Sequence, residues 1–301
     1  MIVVISPNAS KRRAMLTAAE VCRKLSEFDA EIRMDTQFSG DFPDSLSIRY
    51  LPADTLYASA DFTIPIGGDG TILQCAGRLL SYAEKTGTPP CRLVGINTGT
   101  LGFLAAFEAD ELGMLARLFT GEYEISRRML LKTRICGGTE DGTVRLALND
   151  IYASRLNGKI CDFTVSADGR EISTYRADGI IFSTPTGSSA YALSAGGPVM
   201  EPDLMLTEMN LICPHSLFAR PMLFSPQREI CVTYRGAGDG GLNVHVDGTH
   251  TAVLHNHCSF TVTAAEQTMP FVDCKGHVFY DALNGKLMQP LKGVSQLHSS
   301  E

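Results

Sequence analysis

The chain lacks any apolar run long enough to cross a membrane, so the sequence predicts no transmembrane helix. Basic residues are also scarce, because 26 Lys and Arg stand against 33 Asp and Glu, a net charge of −7. That balance disfavours a general nucleic-acid binder, so any phosphate-bearing ligand must be bound by a local site. The opening residues, MIVVISPNASKRR, place their charges after the apolar run and predict a first strand and turn instead of a signal peptide.

Several motifs of nucleotide and metal chemistry are missing as well. No GxxxxGK(S/T) occurs, which excludes a P-loop enzyme, and no GxGxxG follows the first strand, which leaves hydride transfer on a dinucleotide fold unsupported. The nine cysteines are odd in number and contain no CxxC, so we expect free thiols in a reducing cytoplasm. Four possible zinc ligands lie close together in sequence, namely His250, His255, His257 and Cys258. Their spacing matches no metal template, so we expect ordinary side chains there without a metal.

The most informative stretch that is present is GGDGT, residues 67–71. It follows an apolar run and precedes a helical pattern, so a strand ends in glycines and a helix begins. Glycines allow backbone N–H groups to approach a phosphate, and the helix N-terminus adds partial positive charge there. Asp69 is unexpected in such a turn, because a carboxylate repels phosphate. We expect it to act on a neighbour of the phosphate, either a hydroxyl to be deprotonated or a metal ion.

The pattern along the chain changes near residue 125. Before it, strand and helix patterns alternate, which predicts a parallel sheet covered by helices, with Ser10 and Asp110 as helix caps. GGDGT and a second glycine-rich turn, residues 97–104, both follow strands and are expected at the same edge of that sheet. After it, short strands separated by turn residues predict a mostly antiparallel domain. The segment 277–291 has no strong pattern.

Two polar stretches in the second part are candidates for a ligand site. Asn149-Asp150 ends the strand-like LALND, and a buried pair of this kind costs stability unless its polar atoms are satisfied. A simple turn is one interpretation, and hydrogen bonding to ribose hydroxyls or a base is the other. Residues 176–191, RADGIIFSTPTGSSAY, are the densest polar stretch and suit a nucleotide pocket, with Tyr191 over an aromatic base.

The segments GGDGT, INTGTLGFL, LND, RADGIIFSTPTGSSAY and PHSLFARP, together with later VDG and FYDAL, resemble the NAD kinase family in their order along the chain. GGDGT is shared with diacylglycerol and sphingosine kinases, whereas TPTGSSAY is far more specific. The resemblance implies an N-terminal α/β domain (1–124), a β-rich dinucleotide-binding domain (125–270) with the active site between them, and a tail (271–301) that packs back on the first domain. It also implies phosphoryl transfer to the 2′-hydroxyl of the adenosine ribose of NAD, giving NADP. The implied divalent cation, Mg²⁺, is bound mainly through the donor phosphates, with no protein metal site.

Residue roles follow from the resemblance position by position. Asp69 matches the general base, and Gly70 contacts the same substrate. The phosphate-donor turn comprises Gly67, Gly68, Gly70 and Thr71. The NAD-binding positions are Asp69, Gly70, Asn149, Asp150, Lys159, Arg176, Asp178, Thr186, Ser189, Ala190, Tyr191, Ala192, Leu193, Ser194 and Thr249. Two positions depart from the family pattern, because His is common where Thr100 stands and Glu where Asp150 stands.

Two other function classes stay open at this point. A lipid kinase of the diacylglycerol or sphingosine type is disfavoured by the acidic chain and by TPTGSSAY, and a non-catalytic NAD(P)-binding module is disfavoured by an intact Asp69. The sequence does not choose between ATP and polyphosphate as donor, or between NAD and NADH. The expected partners are these small molecules, without nucleic acid or membrane, in the cytoplasm. Because family members form dimers or tetramers, the resemblance also implies a homodimer or homotetramer.

Overall fold

The computed structural model describes residues 1–100, 102–236, 240–276 and 278–286. They form two compact units, the first made of residues 1–127 and the described residues from Met269 onward, the second of Arg128–Thr268. This arrangement has the predicted fold class, an α/β unit at the N-terminus and a β-rich unit after it. The domain limits expected from the sequence, 124 and 270, stay predictions.

A parallel sheet flanked by helices forms the first unit. Its strands are β1 (Ile2–Pro7), β2 (Glu31–Asp35), β3 (Arg49–Leu51), β4 (Phe62–Gly67), β5 (Arg92–Leu93), β6 (Ile96–Asn97) and β7 (Phe107–Glu108). Its first helices are α1 (Arg12–Ser26), α2 (Ala53–Leu56), α3 (Asp69–Thr86) and α4 (Ala116–Thr120). The strand order is β3-β2-β1-β4-β5, and β6 joins β4 to β7, with every one of these pairs parallel.

Burial explains why these segments fold as they do. Every residue of β4 is buried, as expected for a central parallel strand covered on both faces. The helical period of α3 predicts six inward positions, and all six are buried: Ile72, Cys75, Ala76, Leu79, Leu80 and Ala83. Two cap predictions are wrong. Ser10 donates its hydroxyl to Asn8 Oδ1 at 2.7 Å instead of capping α1, and a 3₁₀ turn, Leu112–Leu115, replaces the helix start expected at Asp110.

The second unit contains two sheets around a separate apolar core. The elements are β8 (Glu124–Cys136), β9 (Val144–Ala147), β10 (Asp150–Arg155), β11 (Cys161–Ala167), β12 (Arg170–Ala177), β13 (Gly179–Ser183), α5 (Tyr191–Ser194), β14 (Thr207–Ile212), β15 (Met222–Phe224), β16 (Ile230–Tyr234), β17 (Leu242–Val246), β18 (Thr249–Leu254) and β19 (Ser259–Asp273). Two of these strands extend beyond this unit, since β8 begins and β19 ends in the first unit. One sheet has the order β15-β14-β13-β10-β17-β18, antiparallel throughout. The other includes β12-β11-β16-β19.

The C-terminal segment returns to the first unit within β19, where Phe271 pairs with Leu93 in parallel. Arg117 then donates to the carbonyl of Cys274 at 2.5 Å. A last helix, α6 (Val278–Lys286), follows where the sequence shows no strong pattern. None of the helices in the described part of the chain combines the length and the apolar character needed to span a bilayer.

Candidate active site

The GGDGT turn connects the central strand of the first unit to a helix. β4 ends at Gly67, and α3 begins two residues later at Asp69, which is half-buried. The first N–H groups of an α-helix lie outside its own hydrogen-bond ladder, so this turn presents donors. Asn8, just after β1, donates its side-chain amide to Thr71 Oγ1 at 3.0 Å. The ends of two neighbouring strands therefore shape the predicted phosphate-donor turn.

The Asp69 carboxylate is held by the second glycine-rich turn. Its Oδ2 accepts the backbone N–H of Phe103 at 3.0 Å, and its Oδ1 accepts that of Leu104 at 3.2 Å. Gly102 permits this approach, since a Cβ at that position would lie 2.0 Å from Asp69 Oδ1. A carboxylate has about four lone-pair sites, so these two bonds orient Asp69 without exhausting its capacity to accept a proton. The two turns expected at one sheet edge are thus joined through this side chain.

In the second unit, Asp247 organises the Asn149-Asp150 segment. Its carboxylate accepts the backbone N–H groups of Leu148 at 2.8 Å, Asn149 at 2.8 Å and Asp150 at 3.1 Å. Asp247 has a φ of +48° in the turn between β17 and β18. Sequence reasoning did not select this residue for the site, although the Asp-Gly pair in VDG is a turn signal. Its function comes from contacts with a segment about a hundred residues earlier, which no local pattern shows.

The turn after β13 packs on the other side of Asn149. Thr184 Oγ1 donates to the Leu148 carbonyl at 2.6 Å and accepts the Gly187 N–H at 3.0 Å. Gly187 is needed there, because a Cβ would lie 2.1 Å from the Asn149 carbonyl oxygen. Among the described residues, neither Asn149 Oδ1 nor Thr186 Oγ1 finds a hydrogen-bond partner, although both atoms are buried. Unsatisfied buried polar atoms are rare in folded proteins, and this pair suits a polar ligand.

The remaining predicted NAD positions divide between two places. Thr186–Ser189 form a 3₁₀ turn that leads into α5, so the run 189–194 is continuous with the Asn149 site. Asp178 lies at the opposite end of the β10–β13 ladder from Asp150. Asp150 pairs with Ser183 at one end, and Ser154 pairs with Gly179, the residue after Asp178, at the other. Asp178 bonds to Arg155 at 2.9 Å. Arg176 forms a two-point ion pair with Asp162, at 2.8 and 2.7 Å.

The last two predicted positions are exposed. Lys159 lies in the turn before β11, and Thr249 is the first residue of β18. Ligand contacts for Lys159, Arg176, Asp178 and Thr249, like those of the other predicted NAD positions, stay predictions. Within the described ranges of the chain, no three His, Cys, Asp or Glu side chains converge as a metal site.

Two neighbouring carboxyl groups give the Asn149 site an unusual electrostatic character. Burial raises the pKa of Asp150 to about 7, and the charge of Asp247 acts in the same direction. Burial also raises the pKa of Asp247, to about 6, while its three backbone N–H donors oppose that rise. Asp150 therefore gains or loses a proton close to neutral pH, and hydrogen bonds from a ligand to its charged form favour the loss.

These carboxyl groups predict a pH dependence of stability. Both pKa values lie above the ordinary 3.8, so the folded chain binds these protons more tightly than the unfolded chain. Their contribution to the free energy of unfolding is complete below about pH 4 and is lost as the pH rises to about 7. Urea unfolding of the wild type and of Asp150→Asn, at about pH 5 and about pH 8, measures it. Between these two pH values, Asp150→Asn is expected to lose less free energy of unfolding than the wild type. Equal losses would contradict the raised pKa of Asp150.

The two halves of the chain match the two domains of one enzyme family. Residues 1–123 match the ATP-NAD kinase N-terminal domain, and residues 148–274 match the ATP-NAD kinase C-terminal domain. The NAD kinase of Thiobacillus denitrificans is 35% identical over 234 residues, which cover 77% of this chain and 78% of that protein. The NAD kinase of Symbiobacterium thermophilum is 33% identical over 284 residues, 93% of this chain and 96% of that protein.

Solved structures agree on the fold. A yeast NADH kinase complexed with NADH superposes with a TM-score of 0.86 at 24% identity, covering all of this chain and 89% of the other. An NAD kinase from Archaeoglobus fulgidus in complex with ATP gives 0.67 at 25% identity, covering 94% and 97%. Because both domains match in order and relatives above 30% identity span most of its length, the chain belongs to the NAD kinase family.

Proposed function

We propose that this protein transfers the terminal phosphoryl group of a donor to the 2′-hydroxyl of the adenosine ribose of NAD, forming NADP. The observation that supports it most is the Asp69 carboxylate, oriented by two backbone N–H groups at the start of a helix. The 2′-oxygen attacks the terminal phosphorus, its proton passes to Asp69, and the remaining phosphates leave with the bonding electron pair. An aspartate is a weak base, so positioning and charge neutralisation supply most of the acceleration.

A divalent cation fits this chemistry as part of the donor. The GGDGT turn supplies a single carboxylate, and that carboxylate is already engaged by two N–H donors. A turn with one carboxylate suits Mg²⁺ that is held mainly by phosphate oxygens and water, which is how this ion usually binds at nucleotide sites. When bound, such a cation neutralises charge on the phosphates. Asp69 is then left to orient and deprotonate the hydroxyl.

The second unit supplies the proposed dinucleotide contacts. Asn149 Oδ1 and Thr186 Oγ1 are buried acceptors that a ribose hydroxyl or a base N–H satisfies. Asp150, on the same turn, accepts hydrogen bonds from ribose hydroxyls once it is ionised. The loop 189–194 continues from this cluster. Together these groups orient the adenosine so that its 2′-oxygen, not its 3′-oxygen, faces the donor.

An NADP-formation assay across donors, acceptors and metals tests the proposed function. The protein is incubated with ATP or polyphosphate, with NAD, NADH or a diacylglycerol, and with each of several divalent cations. NADP or NADPH is expected to accumulate. Phosphorylation of the lipid alone would favour the lipid kinase, and tight NADP binding without turnover would favour a non-catalytic module. The relatives found for this chain are NAD kinases, which favours neither alternative.

Replacing Asp150 with alanine is expected to weaken NAD binding selectively. The change removes a buried hydrogen-bonding group beside Asn149, so we expect the KM for NAD to rise about 10-fold or more. The KM for the donor serves as an internal control and is expected to change less than about twofold. Steady-state kinetics with each substrate varied in turn measures both. An unchanged KM for NAD would remove Asp150 from the ribose site.

Two further proposals concern the assembly and its location. We propose a homodimer or homotetramer, because the apolar side chains of Leu217 and Phe218 are neighbours and each is 89% exposed. Sedimentation equilibrium that returns the mass of one chain would contradict it. The proposed compartment is the cytoplasm, since nine free cysteines fit a reducing environment. Fractionation that finds the protein outside the cytoplasm would contradict that placement.

A further inference from the structure

Lys286 lies against the carboxylate of Asp69, the residue that the proposed function makes the general base. Its Nζ is 3.4 Å from Asp69 Oδ2 and 4.9 Å from the centroid of the Phe103 ring. The side chains are about one-third exposed, 31% for Lys286 and 34% for Asp69. The two residues are 217 positions apart in sequence, so the contact exists only because the C-terminal segment returns to the first unit.

The surrounding contacts hold Lys286 in this position. Phe279, two turns earlier on α6, packs against Phe103 with ring centroids 6.2 Å apart. Phe103 thus contributes its N–H to Asp69 and its ring to both α6 side chains. The lysine and the glycine-rich turn that orients Asp69 form one packed group.

Stability alone explains this contact poorly. A partly exposed ion pair at 3.4 Å adds little to the free energy of folding, because water screens it and two side chains must be ordered. Asp69, in contrast, creates a specific problem for the reaction. Its negative charge lies in a turn where donor phosphates bind, and the two repel each other. A cation in contact with the carboxylate offsets that repulsion.

We infer that Lys286 is a positioning residue for phosphoryl transfer, which holds Oδ2 of Asp69 in place and neutralises its charge toward the entering donor. This inference rests on the proposed role of Asp69. Loss of the ammonium then acts on two quantities. The kcat falls because the base is less well oriented, and the KM for ATP rises because the unscreened carboxylate repels its phosphates. The KM for NAD, most of whose proposed contacts lie in the second unit, stays near the wild-type value.

Three variants test this inference in the full-length protein. Lys286→Met keeps the length of the side chain without its charge, Lys286→Arg restores a charge, and Lys275→Met is a control lysine near α6 that pairs with Glu111 instead. We expect Lys286→Met to lower kcat/KM for ATP at least about tenfold, with an unchanged melting temperature. Lys286→Arg is expected to recover most of that loss, and Lys275→Met to resemble the wild type.

A binding measurement separates action through Asp69 from a direct lysine–phosphate contact. Calorimetry with a non-hydrolysable ATP analogue and Mg²⁺ compares Lys286→Met in the wild type and in Asp69→Asn, where the repelling charge is absent. We expect weaker binding only when Asp69 is present. Equal weakening in both backgrounds, wild-type kinetics in Lys286→Met, or no recovery in a folded Lys286→Arg would overturn the inference. A fully active Asp69→Asn would instead reject the proposed base, whatever Lys286 does.

Discussion

Asp69→Asn is expected to lower kcat by about 10²- to 10⁴-fold, the range associated with loss of a general base, while NAD still binds. Asparagine keeps the size of the side chain but cannot take the proton of the 2′-hydroxyl. Its Nδ2 also faces one of the two N–H groups, of Phe103 or Leu104, that the carboxylate accepts. The measurement is NADP formation at saturating substrates, together with calorimetric titration of NAD and the melting temperature.

Asp54→Asn is a suitable control, because Asp54 is an exposed acid on α2 of the same unit. It removes the same charge and is expected to leave kcat unchanged. The base assignment fails if Asp69→Asn loses NAD binding while the bound fraction turns over at the wild-type rate. In that case Asp69 would hold substrate without exchanging a proton with it.

The second large effect is expected for Asp247→Asn, which should lower the free energy of unfolding by about 1–3 kcal/mol and weaken NAD binding. The Asp247 carboxylate accepts three consecutive backbone N–H groups, from Leu148 to Asp150. Asparagine offers one oxygen and turns an NH₂ group toward at least one of these donors. A buried donor is then left unsatisfied, and the Asn149-Asp150 turn loses its fixed geometry. Urea unfolding and NAD titration measure the two consequences.

The chain offers a closely matched control in Asp168. It has the same φ of +48° and also precedes a glycine in a hairpin turn, between β11 and β12. Its carboxylate accepts one backbone N–H, from Glu229, and pairs with Arg228 at the surface. Asp168→Asn is therefore expected to change stability by less than about 0.5 kcal/mol and to leave NAD binding intact. If the two variants are equally stable, Asp247 does not hold the Asn149 segment in the way described.

The segments with strongly periodic apolar residues are the part of the fold that the sequence predicts best. The six inward positions of α3 are all buried, and the alternating apolar residues of β17, LNVHV, are its buried ones. β14 has no such periodic signal, because Glu208 and Asn210 make its sequence look polar. Both are buried in the structure, where Asn210 donates to Glu208 at 2.5 Å. Their pairing satisfies part of their polar surface, and no sequence pattern shows that partnership.

The candidate site was predicted unevenly for a similar reason. Asp69 follows a strand of the parallel sheet, a position that indicates ligand binding in such sheets. Asn149 and Thr186 stand in polar or glycine-containing turns after strands of the second unit. Asp247 and Lys286 act on those turns from distant parts of the chain. Their roles depend on which segments pack together in three dimensions. A local signal, the VDG turn, marks Asp247 as structurally special without indicating what its carboxylate holds.

A crystal structure of Asp69→Asn with NAD and a non-hydrolysable ATP analogue would show whether residue 69 faces the hydroxyl that accepts the phosphoryl group. We expect the adenosine 2′-oxygen to lie within about 2.6–3.2 Å of a side-chain oxygen or nitrogen of residue 69, with the 3′-oxygen turned away. We also expect Asn149 and Thr186 to contact the same nucleotide. A well-ordered NAD whose 2′-oxygen lies beyond hydrogen-bond reach of residue 69 would contradict the proposed role of Asp69.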